Sequence, residues 1–203
     1  WQSTTTATYA KSFAGGHSLT AMLGFETSSY VWANLNVTAE NFPVQTYNPV
    51  FDLQQGGAAM RKPSTNKYRQ TRMSEFGRLF YSFKDRYLTT LTLRRDGSSK
   101  FGADNKYATF PSVALAWKAH NEQFIKGIKA IDELKLRLSA GVSGNDRITP
   151  YRSLQRLDNT YYLNLNDAAV LGLAPSEKSN PNLKWESTAQ YDLGLDVSLL
   201  EHR

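Results

Sequence analysis

Polar and apolar residues alternate with a period of two through much of this chain. From Arg86, Tyr87, Thr89, Leu91 and Leu93 fall on one face, while Arg86, Thr90, Thr92, Arg94 and Asp96 fall on the other. Such alternation over about ten residues marks a strand with one apolar and one wet face. The cleanest run lies between Glu133 and Ser143, where Leu134, Leu136, Leu138, Ala140 and Val142 interleave with Lys135, Arg137, Ser139 and Gly141. From Glu186 to Leu200, Tyr191, Leu193, Leu195, Val197 and Leu199 stand opposite Gln190, Asp192, Gly194, Asp196 and Ser198. Between Ala108 and Ala119, Val113, Leu115 and Trp117 share a face. Arg69 to Phe83 reads as a further strand, folded back on the next at Lys84-Asp85. Earlier, strands over Ser3 to Phe13 and Ser18 to Ser28 form a hairpin about Gly15-Gly16. The period is lost between Ser29 and Tyr68, where a short helix is expected over Tyr30 to Leu35 and the Asn-, Pro- and Gly-rich remainder reads as loop. Asn121 to Lys126 suits a helical turn. Strand-like pieces such as Tyr161 to Leu165 sit in the polar region from Gly144 to Lys184.

The connections alternate. Compact ones at Ala14–His17, Lys84–Asp85 and His120–Asp132 alternate with long ones at Ser29–Tyr68, Asp96–Tyr107 and Gly144–Lys184. In an up-and-down barrel, strand parity places every other connection on the same side, with short periplasmic turns and long extracellular loops. A soluble sandwich has no reason to sort its loops in this way. Strands of about 9–11 tilted residues are long enough to cross a bilayer. The reading is therefore all-β: an antiparallel meander of about seven main strands, forming part of a large transmembrane β-barrel with long loops on one side.

Composition agrees with that reading without demanding it. The chain is 40% hydrophobic, 12% aromatic and 21% charged. It holds no apolar run near the ~18 residues of a helical span. Alternating strands keep mean hydropathy low and still show lipid one face, and aromatic girdles or a sandwich core would account for the Tyr and Phe content. With no cysteine, disulfides and thiolate metal sites are excluded. The net charge of +6 is scattered, with no basic stripe interleaved with aromatics, which speaks against nucleic acid.

One stretch carries a resemblance to a known family. Phe76-Gly77-Arg78-Leu79 with Tyr81, Asp85-Arg86-Tyr87-Leu88, the run Arg95-Asp96-Gly97-Ser98-Ser99-Lys100-Phe101-Gly102, Asn105-Lys106-Tyr107 and Phe110-Pro111-Ser112 are similar to the barrel of SusC/RagA-type TonB-linked outer-membrane transporters. Leu134-Lys135-Leu136-Arg137, Gly141, Gly144-Asn145, Asn180-Pro181-Asn182-Leu183-Lys184-Trp185-Glu186 and Gly194-Leu195-Asp196 continue the match, which covers about Ser74 to Leu200. The resemblance implies a barrel of about 22 strands around a plug. It also implies import of oligosaccharides or peptides across the Gram-negative outer membrane, with TonB and a SusD-like surface lipoprotein as partners. Trp1 opens the chain without Met or signal peptide, and Arg203 ends it just after an alternating strand. The whole of 1–203 is therefore expected to be an interior barrel fragment, lacking plug, TonB box and the barrel's C-terminus. Its open edges would leave backbone groups that lipid cannot satisfy, so alone it should not be a stable membrane protein.

Candidate chemistry is sparse. His17, His120 and His202 lie far apart beside turns and read as solvated. No nucleophile, zinc or phosphate-loop motif is present, and Ser98-Ser99 has no His partner, so no enzyme and no cofactor or metal is expected. In the loop Arg94 to Lys100 the cations could steer polar ligands at a lumen mouth. The structural alternative is an Asp96-Gly97 turn with Arg95 paired to Asp96 or Asp104. Among Trp32, Trp117, Trp185, Tyr30, Tyr47, Tyr161 and Tyr162, the loop residues Trp32, Tyr161 and Tyr162 are the better ligand-stacking candidates, with Arg94 beside them. Trp117, on an apolar face, suits lipid contact or a girdle. A passive porin-type channel and a soluble carbohydrate-binding or adhesion module remain as rival readings, and an outer-membrane enzyme is the weakest.

Overall fold

The computed structural model describes residues 1–42, 53, 56, 63–128, 130–163 and 169–200, and only the backbone of 161–163 and 169. Nine strands are described: β1 Gln2–Phe13, β2 His17–Asn36, β3 Ser64–Phe83, β4 Tyr87–Ser98, β5 Tyr107–Lys118, β6 Ile131–Asn145, β7 Arg156–Leu163, β8 Ala169–Glu177 and β9 Glu186–Leu199. A helical turn, α1 Gln123–Lys126, lies between β5 and β6. Seven strands form one sheet in the order β1-β2-β3-β4-β5-β6-β9, and β7-β8 form a separate hairpin. The ladders described are antiparallel. The meander expected from the alternating stretches is therefore present.

The chain divides into two compact units, one made of Trp1–Ser29 with Thr71–Arg203 and the other of Tyr30–Gln70. In the second unit, the residues expected to be helical, Tyr30 to Leu35, continue strand β2, and β3 begins at Ser64 rather than Arg69. Alternating aromatic and small residues explain this. Tyr30 and Trp32, two apart and so on one side of β2, both pack on Tyr68 of β3, with Trp32 stacked at 5.3 Å. A helix would have separated them. Tyr47 lies outside the described residues.

In the first unit, the tight turns follow from backbone geometry. Lys84 and Asp85 both take positive φ (52° and 50°), and Arg86 N–H donates to Phe83 O at 2.9 Å. Two left-handed residues form the kind of two-residue turn whose twist matches the flanking strands. Gly15 and Gly16 also have positive φ (83° and 84°), at the turn between β1 and β2. The neighbouring turns are tied by Lys84 N–H to Gly16 O at 2.6 Å. The polar region Gly144 to Lys184 contains β7 and β8, so the piece expected at Tyr161 to Leu165 is the end of a longer strand, with Leu165 outside the described residues.

Register settles which side chains share a face. The row Tyr87–Trp117–Leu136–Leu195 runs across four strands, followed by Thr89–Leu115–Leu138–Leu193 and Leu91–Val113–Ala140–Tyr191. On β3, Leu79 stands opposite Leu91 and so joins this face. The other face carries Thr90–Ala114–Ser139–Asp192, Lys118–Lys135–Asp196 and the pair Arg137–Gly194. The sorting is that expected from the alternation. It survives because the only register shift between β6 and β9 lies at Ile131/Glu133, before the alternating run.

The apolar face is uncovered. Leu136 is 42% exposed, Leu138 52%, Leu193 76% and Leu195 62%. A soluble sandwich would enclose these residues between two sheets. The buried apolar residues lie instead in small groups at the two ends of the strands: Phe101 and Phe110 at one, Ala119 and Ile125 at the other.

Candidate functional site

Soluble monomers tolerate apolar patches of a few hundred Å², whereas here apolar rows run exposed across β4, β5, β6 and β9. The edges of this face are aromatic. At the short-turn end, Phe13 pairs across from His17, His17 shares a 2.7 Å hydrogen bond with Tyr81 and stacks on Phe83 at 4.5 Å, and Phe83 stacks on Tyr87, the neighbour of Trp117. His17 is thus a member of an aromatic belt rather than a solvated turn residue. His120 is also partnered, accepting from Leu134 N–H at 3.3 Å, while His202 lies outside the described residues. At the long-loop end, Tyr107 stands on the same face, opposite Gly97 and under the Arg95 guanidinium at 4.6 Å. From Tyr107 to Trp117 the strand rises about 33 Å, or roughly 25 Å along the normal at a ~40° tilt, which matches the apolar band of an outer-membrane barrel.

The opposite face is ionic and internally satisfied. Asp196 accepts from Arg137 at 2.8 Å and pairs with Lys135 at 3.7 Å, and Asp192 accepts from Ser139 and Gln190 at 3.1 Å each. Arg94, offered by the sequence as a ligand contact, donates to Asp96 at 2.7 Å and to Ser74 at 3.0 Å, over the Phe76 ring. Its neighbour Arg95 does not pair with Asp96 or Asp104. It reaches Glu75 of β3 at 3.4 Å, because the β3–β4 register sets those two residues side by side.

The long-loop end is closed by a clasp that sequence reasoning missed. Asp146, just after β6, accepts from Arg72 Nε at 2.9 Å and Nη2 at 2.6 Å, and from Ser98 Oγ at 3.2 Å. The Lys100 ammonium donates to the Asp146 backbone oxygen at 3.0 Å. Asp146, Ser98 and Lys100 are buried. Beside them Trp185 packs on Phe101 at 5.0 Å and edge-on to Phe110 at 5.5 Å, and donates its indole N–H to Lys106 O. Gly102 lies against the Pro181 carbonyl so closely that a Cβ has no room. The Arg95–Gly102 run and the Asn180–Glu186 run, separated by more than seventy residues, are thus halves of one joint. A bare Asp in a polar stretch offered no local signal. The paired aromatics of the two runs were the available clue.

Of the predicted ligand residues, Trp32 sits against Tyr68 in the 30–70 unit and Arg94 on the ionic face. The side chains of Tyr161 and Tyr162 lie outside the described residues. Among the described residues, no group of three or more His, Asp or Glu could hold a metal.

An antiparallel meander with an uncovered apolar face, an aromatic edge and an ionic reverse is part of a transmembrane β-barrel. The β-barrel model of TonB dependent receptor-like proteins matches residues 1–202, and the chain belongs to that family. TonB-dependent receptor P3 of Formosa agariphila is 38% identical over 196 residues, covering 97% of this chain and 19% of that protein. TonB-dependent receptor SusC of Bacteroides thetaiotaomicron is 40% identical over 149 residues, covering 72% of this chain and 15% of that protein. The structure of the RagAB peptide transporter superposes with a TM-score of 0.87 at 28% identity, covering all of this chain and 22% of that one. The chain thus spans about a fifth of the length of such relatives, and it is of the SusC/RagA type.

Proposed function

We propose that this chain is a section of the barrel wall of a TonB-dependent importer in the Gram-negative outer membrane. Its apolar face meets lipid and its ionic face lines the lumen. Residues 1–203 form one interior barrel section, and the whole transporter takes up oligosaccharide or peptide nutrients with TonB and a SusD-like surface lipoprotein. The observation that carries this reading is the register-matched ladder of exposed leucines backed by the Lys135–Arg137–Asp196 cluster. Family membership and the likeness to SusC and to the RagAB peptide transporter support the direction of transport and the partners. The long-loop side faces outward, as in barrels with short periplasmic turns.

For substrate contact, Trp32 with Tyr30 and Tyr68 offers flat aromatic surface suited to sugar rings or peptide side chains, and Tyr161 and Tyr162 are separate candidates for stacking on the same ligands. Arg94 serves the lumen field more than direct contact, since its guanidinium is already engaged. In the full-length protein, uptake of labelled oligosaccharides and peptides is measured with and without TonB. Energy-dependent uptake of either class, reduced several-fold by Trp32→Ala with normal surface expression, is the expected result. Uptake that ignores TonB would mean a passive channel. Recovery of the protein from the soluble fraction would remove it from the membrane altogether.

A further inference from the structure

The connection between β5 and β6 differs from the other compact turns in what it exposes. Residues 119–121 form a 3-10 turn and α1 follows at once. Ala119, Glu122 and Ile125 are buried, so the segment packs down on the sheet. Phe124, in contrast, is 69% exposed and Ile128 47% exposed. They stand on either side of Gly127, which caps α1, where Ile128 N–H donates to Ile125 O at 2.9 Å, and both side chains are open to the surroundings. Lys126 lies between them and is exposed.

What holds the segment tells which side of the wall it covers. The Glu122 carboxylate accepts from the Tyr87 hydroxyl at 2.8 Å and from the Trp117 indole N–H at 3.3 Å. Both rings belong to the leucine-bearing face, at its aromatic edge. Arg86 closes the third side at 2.8 Å. The turn is therefore bound through the polar tips of the aromatic belt and continues the apolar face beyond it, where water-facing turns are ordinarily polar.

We propose that residues 119–128 are an interfacial foot. Phe124 and Ile128 dip into the phospholipid leaflet on the short-turn side of the membrane, with the Lys126 ammonium among the lipid phosphates, as a short amphipathic segment lies in an interface. The inference rests on the wall reading above, and its test separates the two.

In the full-length protein, in a background free of other cysteines, Phe124→Cys, Leu136→Cys and Ala103→Cys are each spin-labelled. They are reconstituted in phosphatidylethanolamine–phosphatidylglycerol vesicles, with folding checked by heat-modifiable mobility. Collision with oxygen and with a water-soluble nickel chelate is then compared. Labels at 124 and 136 should both favour oxygen, with 124 shallower, while the label at loop residue 103 favours nickel. A nickel preference at 124 matching that at 103, or access to neither reagent, with 136 still in lipid, overturns the foot and leaves the wall. A nickel preference at 136 overturns the wall, and the foot with it. Should the 124 variant fail to fold, Ile128→Cys reports the same surface.

Discussion

At the scale of single residues, Asp146 and Gly102 show how a polar end can be held rigid with little core. Asp146→Ala leaves the buried Ser98 hydroxyl without its acceptor and frees Arg72, while Lys100, which donates to the Asp146 backbone oxygen, keeps its partner. Because Arg72 is half-exposed, its share is screened by solvent, and a loss of about 1–2 kcal/mol is expected, mostly from the stranded Ser98 hydroxyl. Asp146→Asn, which keeps an acceptor, should lose less. Gly102→Ala tests the joint from its other half. The added methyl meets a backbone carbonyl that cannot swing aside, so about 1–3 kcal/mol is lost and the Asn180–Glu186 run is displaced. Both effects are read as a lower temperature for loss of the heat-resistant folded form in the full-length barrel. Wild-type behaviour of both would mean that the clasp does not hold the loops. None of this is legible one residue at a time. Asp96 and Gly97, expected to form a turn, continue β4 opposite Ala108 and Tyr107, and the partner of Arg95 depends on a strand pairing twenty residues back, which loop neighbours cannot reveal.

At the scale of elements, period-two alternation is a sufficient guide wherever both faces are distinct, as in β4, β5, β6 and β9, whose apolar rows coincide with those read from sequence. It fails over Tyr30 to Leu35, because a short apolar run between polar segments suits helix and strand equally, and only contact with distant Tyr68 decides. Within the turn at 119–128, Asn121 to Lys126 is legible as helical, but its attachment, which hangs on Glu122, is not. Hydrogen bonding from Tyr87 holds the Glu122 carboxyl below its ordinary range, against a desolvation that opposes this, with Trp117 and Arg86 adding to the effect. A carboxyl lowered in the folded state stabilises fully above its unfolded value of about 4.3, and that stabilisation is lost as pH falls through the folded value. Amide protection across 119–128, corrected for intrinsic exchange, should therefore hold from neutrality down to about pH 5 and fall below about pH 4. Glu122→Gln should give lower protection that no longer changes over that range. A wild-type profile equally flat would show that the carboxylate does not hold the turn.

At the scale of the whole molecule, the alternation of connections is visible in the order of residues alone. The connections after β1 and β3 are short and those after β2 and β6 long, as strand parity implies, but the β4–β5 connection (99–106) is shorter than the folded β5–β6 one (119–130). What parity cannot supply is the medium on each side of the sheet, since an apolar face looks alike whether lipid or protein covers it. The exposures of Leu138, Leu193 and Leu195 argue for lipid, and neighbouring substitutions test it. In the full-length barrel, Leu136→Arg places a charge on the lipid face in the row of Tyr87 and Trp117, toward the short-turn edge of the band, and should cost up to about 1 kcal/mol, seen as less folded protein in the outer membrane. Lys135→Leu, one residue away, faces the lumen. It removes a 3.7 Å contact with Asp196, whose carboxylate keeps Arg137 at 2.8 Å, so folding should persist and at most transport change. The two outcomes differ because adjacent strand residues face opposite media, whereas general intolerance of the strand to change would affect both alike. Equal loss at both positions would count against a wall with lipid on one side and water on the other.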